Sequence, residues 1–359
     1  MYNENGQYQL LDIIKYISAL LVIGLHTRPF LSINRSVDNI FNYDIANFAV
    51  PFFYACTGFF LVKFSSSKLS FESNVKLRIK KVFKLYVVWT LLYFPLTICG
   101  WQRYGGITIH NMITFVRNFL FVGENYYSWH LWYLNGLIVA LILIYMGRKK
   151  FTIKQLFICA IQLYVVGLLI QLANNNIEVI PHILSILVKC YYKILFTTRN
   201  GLFRTFVFVL IGMMIAERMK KGKKFGIIEY CFGLFLYIIK FLFSMLGGDG
   251  TMFNTCCQIL DLPIMYVLFE AIINMASNHI KISDKVALFC RALSGNIYYV
   301  HMYFVALCAL VLMGENGYNN LYSFFIVVVS SNLFGLFMIF TKKYFKLKHT
   351  KSIQILNEK

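Results

Sequence analysis

Long apolar runs, each broken by a short polar or basic stretch, fill this chain from end to end. Runs suited to a membrane-spanning helix lie at 10–28, 43–62, 84–100, 130–147, 155–172, 202–217, 226–246, 252–275, 292–312 and 321–341. Crossing a bilayer core of about 30 Å takes roughly 20 mostly apolar residues, which these runs approach. The pattern predicts an all-α fold, a polytopic membrane protein with about ten transmembrane helices. No connection is long enough for a separate soluble domain, and no internal repeat is visible. Residues 1–345 therefore read as one membrane domain and 346–359 as a short basic tail.

An even number of crossings puts both termini on one side, and Lys and Arg decide which. They crowd the connections 63–83, 148–154, 218–224 and 276–291 and the tail, and are sparse in the others. Both termini are therefore expected in the cytoplasm. Two outer connections are longer. Residues 101–129 are rich in Trp, Tyr, Gly and Asn. Residues 173–201 hold Asn174, Asn175 and Asn176 and then an apolar stretch with two lysines, Lys189 and Lys193, four apart. That stretch predicts an interfacial or re-entrant helix.

Composition agrees. The 359 residues are 59% hydrophobic and 14% charged, against about 45–50% and 25% for a soluble domain. A net charge of +20 would suit nucleic acid, but the basic residues sit in short clusters between apolar runs. The expected partner is membrane lipid, not nucleic acid. Among nine cysteines no pair has metal-ligand or redox spacing, and no metal is expected. The first apolar run lacks a small-residue cleavage site and reads as a retained helix.

That first run is unusual in carrying Asp12, Lys15 and His26. Ionisable side chains inside a bilayer are costly unless they face a partner or a polar cavity, so each is a functional hypothesis. Lys15 and His26, nearly three turns apart, project from one face with about 16 Å between them along the axis. Asp12 lies one turn before Lys15 and can pair with it. By spacing alone two readings stand side by side: a salt-bridged anchor with a histidine at the far interface, or a site.

The order of short motifs then resembles acyltransferase family 3. Asp12 and Lys15 followed by His26 resemble the opening of that family. Val50-Pro51-Phe52-Phe53 through Thr57-Gly58-Phe59 is similar to its second-helix stretch. Arg78 to Tyr86 resembles a pattern of two arginines, a proline and a tyrosine, with Lys81 at the second arginine and Lys84 at the proline. Those departures keep charge but lose a bidentate donor and a helix-bending residue. His130-Leu131-Trp132-Tyr133-Leu134, then Arg199-Asn200-Gly201-Leu202-Phe203 leading to Gly212, and then Leu293-Ser294 with Ile297 to His301 complete the resemblance in order.

The resemblance implies an O-acyltransferase of the bacterial cell membrane. It would move an acyl group, commonly acetyl from cytoplasmic acetyl-CoA, to a hydroxyl of a cell-surface polysaccharide or other envelope glycan. In that reading His26 is the base or the acyl carrier, since imidazole titrates near neutral pH. Asp12 and Lys15 support it. Arg78, Lys81, Lys76, Lys84 and Tyr86 are expected to hold the coenzyme phosphates, with lipid anchoring as the plain alternative. His130, Trp132, Tyr133, Arg199 and His301 are expected on the acceptor side. For them an interfacial aromatic belt and a buried polar network remain the plain alternatives. The Arg199 and Trp132 motifs also resemble the membrane half of the serine racemases of vancomycin resistance. An amino-acid transport or binding domain is therefore the other functional class, and the short tail leads us to expect no racemase domain.

Overall fold

The computed structural model describes residues 8–246, 251–277, 282–314 and 317–357. In chain order its helices are α1 (Gln9–Thr27), α2 (Arg35–Ile40), α3 (Ala49–Lys63), α4 (Lys68–Arg103), α5 (Ile109–Arg117), α6 (Trp132–Gly147), α7 (Ile153–Asn175), α8 (His182–Leu195), α9 (Phe206–Lys220), α10 (Ile227–Leu246), α11 (Thr251–Ser277), α12 (Asp284–Leu307) and α13 (Leu321–Asn357). Short π-helical turns at Phe41–Ile45, Asn118–Val122, Gly201–Thr205 and Cys308–Leu312 extend them. Among the described residues there is no strand, and nine segments are long and apolar enough to cross a membrane. The fold is an all-α, multi-pass membrane protein.

Nine of the expected spans have counterparts in those segments. The exception is 202–217, which becomes the π turn Gly201–Thr205 followed by α9. Its apolar stretch is bounded by Arg204 at one end and Glu217, Arg218 and Lys220 at the other. Inside those bounds α9 is sealed: Val207, Phe208, Val209, Leu210 and Ile211 are all fully buried. A helix apolar all round and enclosed by protein is a core element, distinct from the lipid-facing helices.

Within the span expected as a single membrane domain, the helices gather into two compact units. Unit 1 comprises Met1–Asp38 with Met275–Lys359, and unit 2 comprises Asn39–Asn274.

In unit 1, α1 packs on α12, and α13 packs on both. Polar ties between helices supplement the apolar contacts. The Tyr16 hydroxyl donates to Asn332 Oδ1 at 2.9 Å, and Asn296 Nδ2 donates to the Gly335 carbonyl at 3.3 Å. Beyond the end of α1, Arg28 adopts a left-handed conformation and turns back to Asp38, 2.8 Å away and fully buried.

Unit 2 is built on the contact of α3 with α9. A Cβ at Gly58 would lie 1.8 Å from the Val209 carbonyl oxygen, and one at Gly212 would lie 1.8 Å from the Ala55 oxygen. Two reciprocal glycines let the backbones touch, the packing device of membrane helices that have no hydrophobic drive toward each other. The long helix α4 begins on a capping box in which Ser67 and Ser70 exchange hydrogen bonds. Its 36 residues span about 54 Å, far more than the bilayer core, so one end projects beyond it.

Helix α8 fits the interfacial expectation in shape. It buries Ser185 and Val188 while exposing Ile183, Leu184, Ile186, Leu187 and Ile194. Arg117, at the end of the similarly exposed α5, donates to the Lys193 carbonyl at 3.1 Å. On α8 the Tyr191 hydroxyl donates to the Thr197 carbonyl at 2.9 Å and accepts from Asn200 Nδ2 at 3.0 Å. Burial pushes this phenol up to about 12, so the clamp stays protonated at physiological pH.

Candidate functional site

Helix α1 turns Asp12, Ala19, Val22 and Ile23 inward, and the same face carries Lys15 and His26. Asp12, only 1% exposed, takes two charge-assisted bonds from Arg291 of α12, at 2.9 Å from Nε and 2.6 Å from Nη2. Lys15 meets the other carboxylate oxygen at 3.4 Å. The expected Asp12–Lys15 pair is therefore the weaker half of a triad whose main cation comes from another helix. Arg291 was legible only as one more basic residue of a loop.

Nearly three turns further along α1, His26 meets His301 of α12, ring centroids 5.4 Å apart and planes tilted by 38°. His301 is fully buried, and its Nδ1 lies 3.0 Å from the Ile297 carbonyl and 2.9 Å from that of Tyr298. Tyr298 also leans its ring toward His301 at 6.4 Å. Unit 1 thus brings together a histidine expected to do chemistry and one expected on the acceptor side, with an ion triad at the opposite end of the same helix.

The basic residues lie on the first turns of α4, not in a loop. Lys76, Lys80, Lys81 and Lys84 are exposed and Arg78 is half-buried, beside the face packed through Val75, Val82 and Tyr86. Lys76 stands over the Tyr145 ring at 5.2 Å, and Lys149 lies over the same ring at 4.8 Å. Arg148 lies over Phe71 at 5.8 Å. The positive surface of unit 2 is therefore wider than the motif, joined by the end of α6. With Lys at 84 the helix continues unbroken, and its proline falls later, at Pro95.

Tyr86 does not belong to that surface. It is 3% exposed, stacks on Phe119 at 5.0 Å and donates its hydroxyl to the Phe119 carbonyl at 2.7 Å. It ties α4 to the turn Asn118–Val122, and a phosphate role is corrected to a packing one.

His130 is also drawn inside, 2% exposed, with its ring against Tyr93 at 4.9 Å. Tyr133 stacks on Tyr54 at 4.6 Å, and Trp132 meets Tyr54 edge-on. Of this group Arg199 reaches outward: its guanidinium lies over Trp132 at 4.9 Å and bonds Glu124 at 2.8 Å. Glu124 is a member the sequence reading missed. Asn200 caps the following turn, its Oδ1 accepting from the Leu202 and Phe203 amides at 3.1 and 3.0 Å. A Cβ on Gly201 would lie 2.7 Å from the Gly136 carbonyl oxygen, so this motif also serves packing.

A further group of charges was not expected to form a cluster, although Arg204 alone could be read as an anion-binding or interfacial residue. Lys240 bonds Asp261 at 2.6 Å and the Tyr43 carbonyl at 2.7 Å, and stands 3.8 Å from Asp44. Arg204 bonds Asn47 at 3.0 Å and Gln258 at 3.2 Å, with Asp261 at 3.8 Å. Asp44 and Asp261 are at most 1% exposed. The signal was available: each of the four charges sits in an expected apolar span. A small polar crevice with a volume of about 20 Å³, lined by Gln171, Thr198, Arg199, Arg204 and Gln258 among others, borders the cluster.

These features define a class: a multi-pass helical membrane protein that gathers ionisable side chains on the inward faces of its spanning helices. The family model for the acyltransferase domain matches residues 8–341. The chain belongs to acyltransferase family 3, a family of membrane acyltransferases. Among curated proteins it is 26% identical over 352 residues to an amino-acid racemase of Enterococcus faecalis, covering 95% of this chain and 47% of that protein. It is 26% identical over 274 residues to another amino-acid racemase of that organism, covering 76% and 36% respectively. A serine/alanine racemase of Enterococcus gallinarum is 27% identical over 213 residues, covering 59% and 29%. The chain thus spans less than half the length of these relatives. No solved structure matches it.

Proposed function

We propose that the chain is an integral membrane O-acetyltransferase of the bacterial cytoplasmic membrane. It moves an acetyl group from cytoplasmic acetyl-CoA to a hydroxyl of a cell-surface polysaccharide or other envelope glycan. The observation that carries this reading is the placement of His26 on the inward face of α1 in a family of acyltransferases. In this mechanism His26 takes the proton of the acceptor hydroxyl as its oxygen attacks the thioester carbonyl. The tetrahedral intermediate collapses, the carbon–sulfur bond breaks, and the proton passes to the departing thiolate to give free coenzyme A. Lys76, Arg78, Lys81 and Lys84 meet the coenzyme phosphates on the cytoplasmic side. Arg199 over Trp132, paired with Glu124, offers a sugar an aromatic face and polar edges.

The test is acetyl transfer by the reconstituted protein, followed by NMR of the recovered glycan. His26→Ala is expected to insert and fold but transfer nothing. Full acetylation by that variant would overturn the assignment.

A second reading is favoured by the partly buried Arg204 with the buried Lys240, Asp261 and Asp44 beside a polar crevice, and by relatives named as racemases of amino acids. Charges of both signs suit the ends of a zwitterion, so a role in binding or passing serine is the alternative. Uptake of labelled serine by proteoliposomes, lost in Arg204→Gln, would favour it over acyl transfer.

A further inference from the structure

Unit 2 also carries an apolar groove between α7, α10 and α11, with a volume of about 510 Å³. That lies within the roughly 300–1,000 Å³ common to ligand pockets. Its walls include Phe157 and Ile161 of α7, Ile228 and Phe232 of α10, and Leu262 and Val267 of α11. Helices α10 and α11 come together at Gly233, where a Cβ would lie 2.6 Å from Val267 Cγ1. Ile228 and Phe232 remain exposed, so the groove is open on the α10 side.

One end of this groove is basic. An aromatic row leads there: Tyr266 lies 5.9 Å from Phe157 and 5.6 Å from Phe225, and the Arg218 guanidinium covers the Phe225 ring at 4.5 Å. Arg218 stands where the apolar stretch of α9 ends, the level at which a helix in a membrane meets headgroups. Its Nε is buried yet meets no acceptor among the described residues. A guanidinium N–H held away from water without an acceptor is costly, and phosphate is an acceptor that this fork fits well. Lys221, Lys223 and Lys224 follow it, all exposed. The acids nearby are engaged by other donors. Glu229 accepts from the Gly226 amide at 2.8 Å, and Glu270 from the Phe225 amide at 3.1 Å and the Tyr230 hydroxyl at 2.5 Å.

We propose that the groove is a binding site for an anionic phospholipid, with an acyl chain along Phe157, Ile161 and Leu262 and the phosphate on Arg218. The order of its parts matches that of the lipid, an apolar channel ending in a positive rim. Ordinary lipid contact needs only the exposed apolar surface of α10. The buried Nε and the basic run after it select a negative headgroup. The lipid is a bound component, no bond forms or breaks, and none of these residues belongs to the acyl-transfer or serine-binding groups named above.

Native mass spectrometry of the full chain, with phosphatidylglycerol and phosphatidylcholine of identical acyl chains, tests the site. Phosphatidylglycerol is expected to bind at least about tenfold more tightly, as a charge-assisted pair allows. Arg218→Gln should erase that preference, and Ile161→Trp, which fills the groove, should weaken both lipids. Changing Lys221 and Lys223 together to Gln should lower the preference less than Arg218→Gln does. Equal binding of the two lipids by the wild type, or a preference kept in folded Arg218→Gln, overturns the proposal. So does a larger loss in the lysine pair, which would mean diffuse attraction to a basic surface. Where a variant fails to fold, the wild type decides. Phosphatidylglycerol with a photoreactive group in its acyl chain should label peptides holding Phe157, Phe232 and Leu262. Labelling spread evenly along the exposed faces of α10 and α13 overturns the site.

Discussion

Both units bury ionisable groups within apolar helices, and they neutralise them differently. In unit 2 two acids and two bases interlock: Lys240 and Asp261 meet at 2.6 Å, with Asp44 and Arg204 each 3.8 Å from an opposite charge. In unit 1 the carboxylate of Asp12 is held by Arg291 and Lys15, and farther along the helix two imidazoles meet ring to ring. Interlocked ions hold helices in register. The two imidazoles meet through their rings, with Nδ1 of His301 turned to main-chain carbonyls. On the proposed reading of His26, the contrast separates charge used for cohesion from a side chain held for chemistry.

The widest effect expected on that contrast is the loss of transfer in His26→Ala with the fold intact. The opposite signature is expected from Lys240→Met, which leaves two buried carboxylates without their nearest cation. It should destabilise the protein by about 3–5 kcal/mol, measured as thermal unfolding in detergent. Adding Asp261→Leu restores the charge balance with Arg204 and Asp44 and should return part of that loss. A single variant as stable as wild type would remove the cohesive role.

Within unit 1 the triad can be sharpened by comparing its cations. Arg291→Leu removes the contacts at 2.6 and 2.9 Å and Lys15→Met the one at 3.4 Å. With Arg291 partly solvent-exposed, the first is expected to cost about 1–2 kcal/mol and the second less than half as much, by the same melts. Equal costs would mean that Lys15 holds Asp12 as firmly as Arg291. The smallest change is expected on the basic face of α4. Arg78→Ala should weaken acetyl-CoA binding about tenfold, or roughly 1.4 kcal/mol, by calorimetry. An unchanged affinity returns the residue to lipid anchoring.

The spanning pattern was readable because a bilayer demands it: long apolar helices with basic connections leave little choice of fold. The shared face of Asp12, Lys15 and His26 was readable from helical periodicity alone. What periodicity cannot supply is the partner across the gap. Arg291 reaches Asp12 from far along the sequence, and Glu124 reaches Arg199 from another connection. Tyr86 matched a motif yet points into protein, because a motif does not say which face of α4 is covered. The stretch 202–217 looked like any other span, since a lipid-facing helix and a protein-enclosed one have similar hydropathy. Motif glycines at 58, 201 and 212 turned out to mark close backbone approaches, so part of what resembled a functional signature is architecture.

The sealing of α9 has a consequence for how the protein responds to its lipid. Helix α10 exposes Ile227, Ile228, Phe232, Leu234, Phe235 and Leu242, and α13 is open through Phe325, Val329, Leu333 and Phe337. A thinner or thicker bilayer acts on such helices directly, by tilt or by mismatch at their ends. Helix α9, enclosed and in backbone contact with α3, offers lipid nothing to act on. Within unit 2, membrane thickness should therefore strain α10 while the α3–α9 pair keeps its register.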